Sequence, residues 1–460
     1  MRRKNNLFLL LILLLLGIGL GYALLSQDLT VNGTTKVKGN NWSIYFDNIQ
    51  VTTGSVSLSE GDQDADLAEN SDTVVEYTIT LNQPGDFYEF TVDAVNDGTV
   101  DAMIGEIISK LNNTVISTTN PVPSYLDYSV TYEDGIPIAV NHLLAANSTE
   151  TYKVRVEFKR DIENSELPTT DQTNSFSFGV SYVQSDSNAV PVYHPVDFST
   201  DSWETVIGAI KSGNTSAYHV GDTKTVELGN SLGTHILRIA NTSTPAECST
   251  TGFSQTACGF VLEFADIITT HNMNPAGEYK GVQYDNGWNV DGWPVSSMYA
   301  YLNDENDSTS IINSLPEVLR NAIIDTTVVS GHGRTSGETN FTSTDKLYLL
   351  STHEVWEDVD GNTSSGLDYY DTAYNNTRQL DYYANLGITM GAYNNSTSSY
   401  DGNYSGAIKK YNGSSPQWWL RSANSITITT DNFYDVFTDG GRNWNPANLT
   451  LGVSPAFRIA

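Results

Sequence analysis

Tyr152-Lys153-Val154-Arg155-Val156-Glu157-Phe158-Lys159 places an apolar residue at every even position and a charged one at every odd position. A period of two is the signature of a strand with one face on a core and the other in water. The pattern returns where Phe176, Phe178, Val180 and Tyr182 alternate with Ser175, Ser177, Gly179 and Ser181. It is also present in Val75, Tyr77, Ile79 and Leu81, and in Tyr88, Phe90 and Val92. Several such strands separated by turn residues predict an antiparallel β-sandwich over residues 27–184. Helical spacing is weak in this region, and residues 103–111 form the one segment read as a short helix.

The chain upstream has a different character. Arg2, Arg3 and Lys4 precede residues 7–16, which are only Leu, Ile and Phe, and the apolar run continues to Leu25. A basic patch followed by an apolar core is an export signal, and the positive end stays in the cytoplasm. Residues 1–26 are therefore expected to be a signal peptide or a signal-anchor helix. Residues 7–25 approach the roughly 20 residues needed to span a bilayer, while Gly17, Gly19 and Gly21 favour a processed signal. Cleavage near Ala23 releases the chain, whereas retention leaves it anchored through residues 7–25. The location expected is the outer face of the cell membrane or the medium.

Charge narrows the partners. There are 23 basic and 54 acidic residues, a formal net charge of −31. Such a surface repels phosphate backbones, which excludes nucleic acid as a partner. Cys248 and Cys258 are the only cysteines and flank a polar loop, so in an exported chain they are expected to form a local disulfide. No cofactor is expected. Calcium is the one ion that the acidic positions Glu60, Asp62, Asp64 and Asp66, or Asp358 and Asp360, suggest. Neither segment completes a calcium loop, because Leu67 and Thr73 occupy the glycine and final acidic positions of the first and the second has no correctly spaced final Glu. The histidines 219, 235, 271, 332 and 353 show no ligand spacing, so no metal site is expected.

Residues 185–200 contain Pro191 and Pro195 and read as a linker, after which the texture turns to mixed α+β over residues 201–460. Trp203, Val206, Ile207 and Ile210 lie at helical spacing. Ser314-Leu315-Pro316-Glu317 reads as a capping box opening a second helix. Short strands are expected at 235–239, 260–264, 346–350 and 453–459. The fold class expected overall is α+β, with the sandwich first and the mixed domain second.

Two resemblances add to this reading. Residues 19–27, then Leu29-Thr30-Val31-Asn32-Gly33-Thr34, then Trp42-Ser43-Ile44-Tyr45-Phe46, resemble the start of Gram-positive exported proteins of the TasA/camelysin kind. That resemblance implies a specialised signal followed by a β-sandwich, and in some members assembly into fibres. Protease activity is not carried over, since the sandwich region holds only His142. In the second half, Trp293-Pro294-Val295-Ser296-Ser297-Met298, Thr344-Asp345-Lys346-Leu347-Tyr348, Trp418-Trp419-Leu420-Arg421-Ser422 and Gly452-Val453-Ser454-Pro455-Ala456 follow in order. This resembles a domain of unknown function found in surface proteins of Gram-positive bacteria. Its ending is also similar to the C-type-lectin-like fold, an analogy at the level of fold alone.

The candidate ligand residues are Trp419, Arg421, Asp439, Arg442 and Trp444. A tryptophan beside Arg and Asp can stack on a sugar and hydrogen-bond its hydroxyls. Adjacent residues on a strand face opposite ways, so at most one of Trp418 and Trp419 is expected in the core. The competing reading gives Arg421 a buried carboxylate as its partner. No catalytic residues are assigned, because no G-x-S-x-G elbow occurs. The function expected is non-enzymatic binding of an extracellular glycan or protein. The alternatives are a matrix or fibre component that self-assembles through the sandwich, and a glycan-active enzyme.

Overall fold

The computed structural model describes residues 40–460 except 171, 360–366, 395, 398 and 427–428. The expected export segment, residues 1–26, lies outside the described residues. Among those described, no helix is long and apolar enough to cross a membrane. The chain divides into two compact units between Pro191 and Val192.

The first unit is built from two antiparallel sheets. One has the order β1 (Ile44–Val51), β4 (Phe87–Asn96), β9 (Ser148–Phe158), β7 (Leu126–Tyr132). The other runs β2 (Gln63–Leu67), β3 (Val74–Ile79), β10 (Asn174–Gln184), β5 (Ala102–Leu111), β6 (Thr114–Val115), with β8 (Leu143–Leu144) also on β5. The period-two residues meet between the sheets. Tyr88, Phe90 and Val92 of β4 and Tyr152, Val154 and Val156 of β9 are buried with Val75, Tyr77, Phe176 and Phe178. Rings interlock across the gap, Phe46 on Phe178 at 5.8 Å and Tyr77 edge-on to Phe90 at 5.2 Å.

The expected helix at 103–111 is instead strand β5, paired with β10 from Leu111↔Phe176 to Ala102↔Gln184. The register slips where Ser181 opposes Glu106 and Tyr182 opposes Ile104, leaving Gly105 as an extra residue. That β-bulge interrupts the alternation and makes Met103, Ile104, Ile107 and Ile108 imitate helical spacing. The acidic positions near β2 serve separate local contacts. Asp62 accepts the Thr80 hydroxyl at 2.8 Å, Asp64 the Tyr88 phenol, and Asp66 the Leu67 amide at 2.8 Å.

Over the described residues the chain is not the balanced α+β fold that the sequence suggested, and the second unit too is built around antiparallel sheets. Strand makes up 37% of the protein and helix 12%, and the sheets are mostly antiparallel, so the fold is mostly β. One sheet has the order β11 (Thr223–Leu228), β12 (Gly233–Asn241), β13 (Val261–Phe264), β19 (Ala456–Arg458). A second large sheet runs β14 (Thr269–His271), β18 (Leu451–Val453), β15 (Trp418–Ala423), β16 (Asn432–Val436), β17 (Arg442–Pro446), and four two-stranded pairs accompany the two large sheets among the described residues. Ser454 and Pro455 carry the chain from β18 in one sheet to β19 in the other.

The helices are too short to form a layer. Helix α1 (Trp203–Ser212) starts on the Ser202 hydroxyl, which accepts from the Thr205 amide, and stops at Gly213 in the left-handed region. The expected capping box at Ser314 does not form. Ser314 ends the one-turn helix Ile311–Ser314, and its hydroxyl returns to the Ile311 carbonyl at 2.7 Å. Pro316 holds Leu315 extended, at φ −70 and ψ 147, so the next turn, Glu317–Arg320, begins afresh. The carboxylate half of such a box occurs instead at Thr352–Val355, where the Glu354 carboxylate accepts the Ser351 amide at 2.9 Å. The expected strand at 346–350 makes only the single bridge Tyr348↔Ala456.

Cys248 and Cys258 are joined in a disulfide with Cα atoms 5.9 Å apart. Closing a loop this short stabilises by about 2–3 kcal/mol in the chain-entropy view. Reduction, or the double change Cys248→Ser and Cys258→Ser, is expected to lower the urea midpoint of the second unit accordingly. A loss below about 1 kcal/mol would mean that non-covalent contacts of the loop, such as Gln255 to the Cys248 carbonyl at 2.8 Å, already hold it.

Candidate functional site

The signature Trp-Trp-Leu-Arg-Ser lies on β15, a central strand between β18 and β16. Both of its faces are covered, and every residue of the strand is buried. Trp418 and Trp419 are each 0% exposed. The expectation that one of them reaches the surface fails because alternation separates two faces without making either one wet. Trp418 donates its indole N–H to the Ala407 carbonyl at 3.1 Å, and Trp419 donates to the His271 carbonyl at 3.0 Å.

Arg421 is also fully buried. Its guanidinium forms a two-pronged ion pair with Glu354, both contacts 2.6 Å, and donates to the Leu349 carbonyl at 2.8 Å and the Val329 carbonyl at 3.2 Å. Glu354 in turn accepts from the hydroxyls of Thr256 and Thr377. Burial pushes its carboxyl upward, and Arg421 outweighs that and holds it below its ordinary value. Trp419 and Arg421 therefore offer nothing to a ligand from solvent.

The remaining candidates cluster on the β16–β17 hairpin. Its turn is shaped by Gly440, whose φ of +91 suits glycine and where a Cβ would lie 2.2 Å from the Tyr404 carbonyl oxygen. The Gly440 carbonyl accepts the Trp356 indole N–H at 3.1 Å. Asp439 is exposed, and its carboxylate accepts the Gly441 amide at 2.9 Å, a turn contact. Arg442 is largely buried, with its guanidinium carbon 4.4 Å from the Tyr370 ring centre and 5.3 Å from that of Tyr400. Trp444 is 37% exposed and lies nearly parallel to Tyr370, with centroids 6.4 Å apart.

The surface continues through residues that sequence reading did not single out. Tyr400 meets Tyr393 at 5.0 Å and Tyr404 edge-on at 6.4 Å, and Tyr393 is exposed. Tyr370 is held in place by Ser425, whose hydroxyl donates to the Tyr370 carbonyl at 2.8 Å. Burial raises the Tyr400 phenol, while the Arg442 charge and its hydrogen bond pull it back. The one available signal was the density of tyrosine between 369 and 411, which has no periodicity to tie it to Arg442.

On the opposite face of the same hairpin sits Asp435, fully buried. Its carboxylate accepts from the Asn443 amide group at 3.2 and 3.3 Å and from that of Asn445 at 3.0 Å. Asn445 also donates to Gln417 at 3.1 Å. Burial raises the Asp435 carboxyl to about 7, against the lowering effect of the two amides. Among the described residues, no three or more His, Cys, Asp or Glu side chains come together as a metal would require.

No match to a curated protein is found for this chain. Residues 265–460, which contain β15 to β19 and the whole aromatic surface around Arg442 and Trp444, match the family described as a domain of unknown function, DUF6273.

Proposed function

We propose that the chain is an exported bacterial surface protein, of the Gram-positive kind, whose second unit binds an extracellular glycan or protein through the aromatic surface centred on Trp444. The support for export is the basic patch Arg2, Arg3 and Lys4 ahead of the apolar residues 7–25, together with the TasA-like start. The support for binding is a single observation, that Tyr370 and Tyr400 lie against the Arg442 guanidinium while Trp444 stacks on Tyr370 and Tyr393 meets Tyr400, which joins the four rings in one aromatic cluster. An indole over a third exposed gives up apolar area that a ligand can cover, and Asp439 on the turn of the same hairpin supplies an exposed carboxylate. A sugar ring, apolar on its face and polar at its rim, suits that pairing. The reading is of a binding protein rather than an enzyme.

The test is a glycan-array screen of the purified chain from residue 27 onward, repeated with Trp444→Ala. Trp444 is exposed enough that its loss leaves the fold intact, and a stacked aromatic is worth about 1–3 kcal/mol, so binding should fall roughly ten- to hundredfold. Unchanged binding by the variant would move the site elsewhere.

A further inference from the structure

The hairpin that carries Trp444 has an unusual fastening. Asp435 is the directly paired neighbour of Asn443 on β17 and of Trp419 on β15, and Trp444 stands between Asn443 and Asn445. Both amides that clasp the Asp435 carboxyl thus flank the exposed indole. A buried carboxylate is ordinarily matched by a cation. Here β17 offers Asn443 and Asn445, β15 offers Trp419, and the residue before β15 is Gln417, which accepts from Asn445. His271, which takes the Trp419 indole at its carbonyl, has its ring stacked on Tyr301 at 4.2 Å. Arg442, the cation of the same hairpin, is paired to Val436 rather than to Asp435 and lies over Tyr370. Neutral amides are therefore the groups that hydrogen-bond this carboxyl among the described residues.

We propose that Asp435 is a proton-operated latch: protonated, it lets the β16–β17 hairpin close against β15, and ionised, it loosens the hairpin and withdraws Trp444 from its binding position. The direction follows from solvation. An ionised carboxylate with only amide donors gains by meeting water, which it can do when the hairpin parts from the sheet. The neutral acid loses little by burial. Ligand binding at the aromatic surface is then strongest in mildly acidic surroundings and weakens as pH rises to neutrality, a regulation that rests on the reading of that surface as the binding site.

The latch itself is tested without a ligand, by amide hydrogen exchange of the full chain between pH 5.5 and 8.5. After correction for intrinsic exchange, the protection of residues 432–446 should fall about tenfold for each pH unit from 5.5 up to neutrality and level off above it, and that fall should be absent from Asp435→Asn. Carbon-13 detection of the Asp435 carboxyl provides a second readout in the native chain, with a titration near neutrality. Protection of the hairpin that is flat with pH, or a carboxyl that titrates below pH 5, overturns the latch. If the latch holds and Trp444→Ala leaves binding unaltered, it is the placement of the binding site that fails.

Discussion

Replacing Arg421 by methionine is expected to destabilise the second unit by about 3–5 kcal/mol, because it strands the Glu354 carboxylate in a site without water. Glu354 would keep the hydroxyls of Thr256 and Thr377 and the Ser351 amide but lose the one cation that contacts it among the described residues. The Leu349 and Val329 carbonyls would lose their donors too. Combining Arg421→Met with Glu354→Gln should recover much of that loss, since an amide is far less costly to bury than an unpaired charge. Urea midpoints of the two variants decide the matter. If the single change costs less than about 1 kcal/mol, the ion pair is not what holds β15 against the Ser351–Val355 segment.

The second large effect is expected in acid. Glu263 on β13 is fully buried and accepts from Arg238 at 2.6 Å, Lys409 at 2.7 Å and the Tyr383 phenol at 3.0 Å. Burial raises its carboxyl, and the two cations overcome that and hold it at about 2, below its ordinary 4.5. A carboxyl with a lowered folded value contributes stability that is complete above the unfolded value. It fades as pH falls from about 4.5 to about 2, and here the change amounts to about 3 kcal/mol. Asp435 works with the opposite sign, since its raised value makes the folded state firmer as pH drops from 7 toward 4. Stability should therefore be highest in mildly acidic solution. Glu263→Gln should be weaker than the natural protein at pH 6, by a margin that shrinks toward pH 2. A margin that stays constant across that range would rule Glu263 out as the source.

Much of the first unit was legible because a half-buried antiparallel strand writes its own geometry into the chain, and Tyr152 to Phe158 needs no tertiary knowledge to be read. The reading broke at Gly105, where one inserted residue shifted the phase. In the second unit, one-turn helices produce the same short apolar spacings as irregular connections, so the sequence overstated the helical share. Trp418 and Trp419 show a different limit. Alternation assigns faces, but only the neighbouring β18 and β16 and the layers beyond decide whether both are covered. Of the expected ligand residues, Arg442 and Trp444 meet on one surface because they sit two residues apart on one strand. Tyr370, Tyr393 and Tyr400 join them from separate segments, and no spacing rule links residues brought together by tertiary packing alone.

The crossing at Ser454 and Pro455 bears on how long this unit takes to fold. Strand β19 pairs residue 458 with residue 261, and β18 pairs residue 453 with residue 269. Both sheets are thus completed by one short segment far along the chain from its partners. Pairings of such long range form late and slowly, since the intervening chain must be closed into a loop before they give anything back. While it emerges N-terminus first, the unit holds β11 to β14 with an open edge on β13 until the 451–458 segment arrives. Its unfinished lifetime is therefore set by the length of the insertion between β14 and β15, and the waiting edge of β13 is where a chaperone would have most to protect.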